Sequence, residues 1–204
     1  MLQQIRPALV MTAALCIITG VVYPVVVTIV ANTIFPRQAQ GSLIKRNGAV
    51  IGSALIGQSF TSPRYFHGRP SAAGAGYDAM ASGGSNKGPT DSALAARITA
   101  RIDSAVAAGG ERGRIPTDLV TASASGLDPD ISPASAMLQA PRVAAARDLP
   151  PAVVMALVTQ GTQSRQFGVL GESRVNVLRL NLALDSLSAS STSLNPPASS
   201  PSSH

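Results

Sequence analysis

The sequence predicts an α+β protein in which one N-terminal transmembrane helix is followed by a single domain of mixed helices and strands. The first observation is an apolar run, because the thirty residues between Arg6 and Arg37 include no charged side chain. About 20 apolar residues suffice for a helix to cross the bilayer core. The second observation is a short β-like pattern directly after this run. The third is a series of helix caps and apolar stripes beyond residue 90.

The apolar run is expected to be an uncleaved anchor. The alternative, a cleaved signal peptide, has an apolar stretch of roughly 7–15 residues and then a small-x-small cleavage site. This run is longer and has no clear cleavage box. Gly20 and Pro24 interrupt it, and both residues are tolerated in membranes chiefly where neighbouring helices satisfy the backbone. We therefore expect Gly20 and Pro24 to mark packing on other helices, with a lone anchor as the alternative.

The charges that flank the anchor leave its orientation open. Arg6 precedes the apolar run, whereas Arg37, Lys45 and Arg46 follow it. A simple count of positive charges favours a cytoplasmic C-terminal domain. However, large trailing domains translocate largely regardless of charge.

Length and composition divide the chain into an anchor of residues 1–36, a soluble domain of 37–187 and a tail of 188–204. The tail is mostly Ser, Pro and Ala and is expected to be disordered. The net charge of +6 is spread along the chain with no run of four basic residues, so no nucleic-acid partner is expected. Cys16 is the only cysteine and lies in the anchor, so no disulfide can form within the chain.

Local patterns predict the elements of the domain. Asn47-Gly48 between two short apolar runs is a strong hairpin signal, and the Gly- and Pro-rich residues 57–89 form a long loop. Between the loop and the C-terminus, residues 115–125 resemble a strand and a turn. Four helices are expected: from an Asp91 cap to about Ala108, from a Ser132 cap towards Arg147 with a kink at Pro141, one opened by residues 148–151 and ending at Gly161, and from an Asn176 cap through Ser186.

The residues supply no catalytic constellation of their own. His67 is the only histidine of the folded region, no Gly-x-Ser-x-Gly turn surrounds a serine, and no phosphate loop with its Lys-Ser/Thr pair occurs. A membrane-tethered hydrolase that uses Ser85 or another serine with His67 is the weakest of the functions considered. Metal-ligand clusters are also missing from the sequence.

Two groups of residues are candidates for binding. In Gly83-Gly84-Ser85-Asn86, successive glycines allow the backbone amides to form an anion-binding nest, although without a preceding strand a structural turn is the favoured explanation. Arg64 and Arg69 are suited to bidentate binding of a partner's carboxylate. The alternative for these two arginines is an internal ion pair or a solvated face. From the residues alone, the chain is a membrane-anchored accessory or binding domain.

Ten motifs occur in one order along the chain: RPAL at 6–9, TGVVYP at 19–24, GSALIGQ at 52–58, YFHGRPS at 65–71, ASGGSN at 81–86, LVTASASGLD at 119–128, ISP at 131–133, RVA at 142–144, VNV at 175–177 and LNLALD at 180–185. Together they resemble the C subunit of the bacterial Kdp-type potassium-transporting P-type ATPase. The resemblance covers roughly residues 5–187.

The resemblance implies a non-catalytic accessory subunit of a high-affinity, ATP-driven potassium uptake pump. Its partners are a potassium-channel-like subunit, an ATP-hydrolysing subunit and membrane lipid. The family's C subunit holds the assembly together and acts as a catalytic chaperone that raises the ATP affinity of the hydrolytic subunit. It is a single-pass protein of the inner membrane, with a cytoplasmic N-terminus and an extracytoplasmic (periplasmic) domain. No cofactor is expected to be bound stably, and ATP acts through the complex.

Two functional hypotheses follow. In the leading one, residues 65–71 and 81–86 cover the outer mouth of the channel subunit, and the residues that face this partner are Gln58, Asn86, Arg64 and Arg69. In the alternative, the soluble domain binds ATP directly, with Gly83, Gly84 and Ser85 around the phosphates. An extracytoplasmic loop cannot meet cytoplasmic ATP, so an ATP effect would pass through the anchor and the channel subunit.

Overall fold

A computed structural model describes residues 4–194 of the chain, except for the side chains of 188–194. It divides into two compact units, one ending at Ser53 and the other beginning at Ala54. The first unit starts with helix α1 (Ile5–Ile17), a π-helical turn (Ile18–Val22) and helix α2 (Tyr23–Ile34). Together they form one helix of 30 residues, the only one in the described part that is long and apolar enough to cross a membrane.

The π-helical turn lies directly before Pro24. Proline lacks a backbone N–H, and its ring collides with the carbonyl group four residues earlier in an ordinary helix, here that of Gly20. The wider turn relieves this conflict, and the N–H of Tyr23 donates to the carbonyl of Ile18, five residues back. A Cβ atom at Gly20 would meet nothing within 4 Å. The packing of Gly20 and Pro24 on other helices stays a prediction.

A β-hairpin ends the first unit, as the sequence predicts. The short helix α3 (Pro36–Ala39) leads to strand β1 (Leu43–Arg46), which pairs antiparallel with strand β2 (Ala49–Ser53). Asn47 and Gly48 join the strands with φ angles of +52° and +81°. Positive φ at both turn residues matches the right-handed twist of the two strands.

In its described part, the second unit contains four α-helices and one small sheet. Their bounds are α4 (Ser92–Ala107), β3 (Asp130–Ile131), α5 (Pro133–Arg147), α6 (Pro151–Gly161), β4 (Thr162–Gln163), β5 (Arg174–Asn176) and α7 (Val177–Leu194). The sheet is antiparallel in the order β3-β5-β4. The core lies where α5, α6, α7 and β5 meet, and its fully buried side chains include Phe66, Val143, Val154, Val158, Val175 and Leu184.

The four helices of this unit confirm the helix predictions, and three of them have the predicted cap contacts. At the start of α7, Asn176 Oδ1 accepts a hydrogen bond from the N–H of Arg179 at 3.1 Å. The Asp91 carboxylate accepts hydrogen bonds from the N–H groups of Ala93 and Leu94. The Ser132 hydroxyl accepts from the N–H of Ser135, and α5 continues through Pro141 as one helix. Side-chain caps satisfy N–H groups that have no partner inside the helix.

Two local predictions differ from the structure. Residues 115–125 contain a 3₁₀ turn (Thr117–Leu119) instead of a strand, because Asp118 turns back to accept hydrogen bonds from the N–H and hydroxyl of Ser132. The last helix passes the predicted end at Ser186 and reaches Leu194, since no proline or glycine stops it there. Residues 195–204 of the predicted tail lie outside the described residues. The division into residues 1–36, 37–187 and 188–204 stays a prediction.

Candidate functional site

Two amide side chains hold the segment 63–69, which carries several of the predicted site residues. The N–H of Phe66 donates to Asn181 Oδ1 at 2.8 Å, and Asn181 Nδ2 donates back to the Phe66 carbonyl at 3.0 Å. Gln139 makes the same pair of bonds with His67, at 2.8 and 3.1 Å. Asn181 is only 1% exposed. Helices α5 and α7 therefore fix this segment as a neighbouring strand would.

Two arginines of α5 complete this support. Arg147 Nε donates to the Arg64 carbonyl at 2.6 Å, and its Nη2 pairs with Asp185 at 2.9 Å. The Arg147 guanidinium also lies 4.7 Å from the centre of the Tyr65 ring. Arg142 Nη2 donates to the Tyr65 carbonyl at 3.0 Å. Charge-assisted hydrogen bonds of this kind give the loop one defined conformation.

The structure separates the roles of Arg64 and Arg69. Arg69 Nη1 lies 2.9 Å from Asp128 Oδ2, in an ion pair whose two side chains are about one-quarter exposed. Arg64 is exposed, and its backbone carbonyl is the group that Arg147 binds. Arg69 thus forms the internal ion pair that was its alternative role. That either arginine faces a partner stays a prediction.

Close backbone contacts surround Gln58. A Cβ atom at Gly57 would lie 2.5 Å from the Asp128 carbonyl oxygen, and one at Gly68 would lie 2.6 Å from the Tyr77 hydroxyl. Gln58 is half-buried and lines a small crevice with both glycines. Tyr77 is held by a 2.5 Å hydrogen bond from its hydroxyl to the Arg69 carbonyl. Burial, and secondarily the charge of Asp128, raises the pKa of Tyr77.

The glycine-rich loop is packed against a second loop, residues 123–128. The N–H of Gly83 donates to the Ser125 carbonyl at 2.9 Å, so this amide is not free to bind an anion. A Cβ atom at Gly84 would lie 3.0 Å from the Ala124 carbonyl oxygen. Asn86 adopts a φ angle of +51°. Only part of the predicted nest therefore exists as an open backbone surface.

Gly84 and Ser85 line a cavity of about 610 Å³, here called the Ser85 cavity. Three cationic side chains also line it, namely those of Lys87, Arg97 and Arg101. Lys87 is paired with Asp91 at 2.8 Å. The glycine-rich loop thus meets a basic face of α4, which the sequence separation of these residues did not reveal.

A second cavity, here called the His67 cavity, has a volume of about 500 Å³. Arg101 lines it as well, so both cavities adjoin α4, and none of the residues of that fully described helix is buried. The His67 ring donates from Nε2 to the Ser62 carbonyl at 3.1 Å. Burial lowers the pKa of His67, the bond to Ser62 raises it, and the charge of Arg142 lowers it further.

The described residues include no cluster of three or more metal-ligating side chains. Ser85 and His67 line different cavities. The arrangement that a serine hydrolase would need from this pair is therefore not present. The site instead consists of loops fixed by hydrogen bonds, two cavities lined by basic side chains, and exposed surface.

One exposed apolar loop was missed by the sequence analysis. Residues 166–170 form a tight turn closed by mutual hydrogen bonds between Gln166 and Leu170. Phe167 is 92% exposed, and Val169 and Leu170 are also exposed. An ion pair between Arg165 and Glu172 flanks the loop at 2.6 Å. The signal that could have found it is the apolar pair Val169-Leu170 beside Phe167-Gly168, outside any predicted helix.

These observations define a class: a single-pass membrane protein that carries one mixed α/β domain. The sequence profile of one family, described as "K+-transporting ATPase, c chain", matches residues 5–186. The chain belongs to this family. It is 73% identical over 95% of its length to the potassium-transporting ATPase KdpC subunit of Gemmatimonas aurantiaca, of which 98% is covered. It is 58% identical over 91% of its length to the subunit of the same name from Rhodospirillum rubrum, of which 96% is covered.

Proposed function

We propose that this chain is a non-catalytic subunit that assembles and stabilises a high-affinity, ATP-driven potassium uptake pump. The observation that carries the proposal is the family match over residues 5–186, which spans both the anchor and the folded domain. The proposed partners are a potassium-channel-like subunit, an ATP-hydrolysing subunit and membrane lipid. The chain lies in the inner membrane, with its N-terminus in the cytoplasm and its domain outside.

The exposed loop of residues 166–170 supports an assembly role. Large apolar side chains held in the open, as Phe167 is, are typical of surfaces that dock a partner. The fixed conformation of segment 63–69 supports the same role, because a surface that is already ordered loses little entropy on binding. Gln58, Arg64, Arg69 and Asn86 remain the proposed polar contacts with the channel subunit.

The proposed chaperone role is a change in the ATP affinity of the hydrolytic subunit. Because the domain and cytoplasmic ATP lie on opposite sides of the membrane in this proposal, the effect is a coupling between two states of the complex. The chain binds more tightly to the state of the complex that has high ATP affinity, through its anchor and the loop of residues 166–170. No cofactor is bound stably to the chain itself.

The direct test compares pump complexes that contain or lack this chain. The KM for ATP in potassium-stimulated hydrolysis is expected to be lower with the chain present. Adding the purified full-length chain back to the depleted complex should restore the low value. An identical KM in both preparations, at equal subunit content, would contradict the chaperone role and leave assembly alone.

Direct binding of ATP by the domain remains the second candidate function. The observation in its favour is the Ser85 cavity, where Gly84 and Ser85 lie opposite Arg97 and Arg101. Labelled ATP should then crosslink to the full-length chain, and Arg97→Gln should reduce the yield while Arg37→Gln, in the first unit, should not. Absence of crosslinking beside a positive control would exclude this function.

A further inference from the structure

The His67 cavity carries positive charge that no carboxylate of its lining balances. Arg69, Arg101 and Arg142 all line it, and only Arg69 is neutralised, by its ion pair with Asp128. Arg101 Nη1 donates to the Val120 carbonyl at 2.9 Å. Arg142 donates to backbone carbonyls and to one side-chain amide. Neither of these two arginines forms an ion pair with a carboxylate in the described part of the chain.

The two unbalanced cations are partly removed from water. Burial, and secondarily the charge of Arg97, lowers the pKa of Arg101, and burial lowers the pKa of Arg142. Both guanidinium groups stay charged, but partial burial removes some of their hydration, and a bound anion would offset this loss. Arg69 Nε, in the same lining, is buried and has no hydrogen-bond partner among the described residues.

Part of the remaining wall of the cavity is apolar, and polar side chains such as those of Thr61, Ser104 and Gln139 line the rest. Phe60, Leu119 and Leu138 form this apolar part, together with Ala105 of α4 and Ala108 directly after it. The cavity volume of about 500 Å³ lies within the range of pockets that hold small organic molecules. Inorganic phosphate carries no apolar group that could pack against the apolar part of this wall.

We propose that the His67 cavity binds a carboxylate carried on an apolar group. The carboxylate pairs with Arg101 and Arg142, and the apolar group packs against Phe60, Leu119 and Leu138. Guanidinium groups bind carboxylates through charge-assisted hydrogen bonds. The carboxylate belongs either to a free small molecule or to an acidic side chain of a neighbouring subunit. This binding is independent of the proposed chaperone role.

The probe for this site is 4-fluorobenzoate, with neutral 4-fluorobenzamide as its matched compound. Fluorine NMR of each probe is recorded with the full-length chain in detergent micelles. The fluorine signal of 4-fluorobenzoate is expected to broaden saturably as the chain is added, and that of 4-fluorobenzamide is expected to broaden much less. Excess inorganic phosphate should not displace the carboxylate. Equal broadening by both compounds, or displacement by phosphate, would overturn the proposal.

Variants place the probe in this cavity. Arg101→Gln removes one charge-assisted contact and should weaken binding about tenfold or more. Ala105→Phe should abolish binding by filling the volume while leaving both arginines in place. Arg114→Gln removes a charge from an exposed position outside this cavity and should leave the affinity unchanged. Unchanged binding in both Arg101→Gln and Ala105→Phe would overturn the proposal.

The assembled complex distinguishes the two sources of the carboxylate. If the probe still binds to the intact complex, the natural ligand is a free small molecule. If the complex excludes the probe while the isolated chain binds it, a carboxylate of a partner subunit occupies the cavity. The thermal transition of each variant, measured by circular dichroism in the same micelles, separates loss of binding from loss of fold.

Discussion

At the scale of single residues, several polar side chains of this domain fix the backbone of segment 63–69 through hydrogen bonds. Asn181 and Gln139 each satisfy one N–H and one carbonyl of the segment at Phe66 and His67. Arg142 binds the preceding carbonyl, that of Tyr65, and Arg147 binds the carbonyl of Arg64 while paired with Asp185. These side chains resemble candidate functional residues in sequence, but their contacts are structural.

Asn181→Leu tests this structural role. The substitution is close in size but leaves the buried N–H and carbonyl of Phe66 without partners, at about 1–3 kcal/mol each. We expect the free energy of unfolding to fall by about 3 kcal/mol, as measured by denaturant titration of the full-length chain. Gln160→Leu makes the same chemical change at an exposed position of α6 and should alter stability by less than about 0.5 kcal/mol. An equal loss of unfolding free energy in the two variants would contradict the structural role of Asn181.

His67 should make stability depend on pH. Its pKa in the folded protein lies below the ordinary 6.5, because burial disfavours the charged ring. The unfolded chain therefore binds the proton more readily, so the free energy of unfolding falls as the pH drops below about 6.5. His67→Gln should remove this part of the pH dependence between about pH 7 and 5. If the unfolding free energy of His67→Gln depended on pH as steeply as that of the unsubstituted protein, His67 would not be the source of this dependence.

At the scale of elements, the anchor is the one whose packing is testable. Gly20 leaves a gap on the helix surface beside the π-helical turn that precedes Pro24. Gly20→Leu should leave the helix in the membrane but reduce severalfold the amount of pump complex recovered with the chain, because a partner helix can no longer approach. Val21→Leu, at the neighbouring position, is the matched control. Unchanged recovery in both variants would support a lone anchor.

The elements show which parts of the fold were predictable. The caps at Asp91 and Ser132 act within three residues, so the sequence alone reveals them. The bonds between Asn181 and Phe66 span 115 residues, and no local pattern encodes such a pairing. The strand predicted at 115–125 was wrong for the same reason, because Asp118 is engaged by Ser132, fourteen residues away.

The candidate site follows the same division. The composition of the glycine-rich loop predicts a turn or an anion-binding nest. It does not predict that the N–H of Gly83 donates to the Ser125 carbonyl. The basic residues of α4 were visible as one face, yet their place in two cavities depends on the tertiary fold. The sequence leaves open whether Arg69 forms an internal ion pair or faces a partner. Only the tertiary fold, which brings Arg69 to Asp128, shows the ion pair.

At the scale of the whole molecule, the chain belongs to the family of potassium-transporting ATPase c chains and combines one apolar helix with a domain that exposes an apolar loop. We propose that this combination joins the chain to other subunits. Phe167 is the side chain most exposed on that loop, and it makes no contribution to the buried core. Phe167→Ser should therefore weaken assembly without lowering the stability of the domain.

The most direct measurement is copurification of the tagged chain from its native membrane after gentle solubilisation. We expect recovery of a multi-spanning channel subunit and a P-type ATPase with potassium-stimulated ATP hydrolysis, and reduced recovery with Phe167→Ser. Recovery of the chain alone, under conditions that preserve other membrane complexes, would contradict the claim that it is an assembly subunit of a potassium pump.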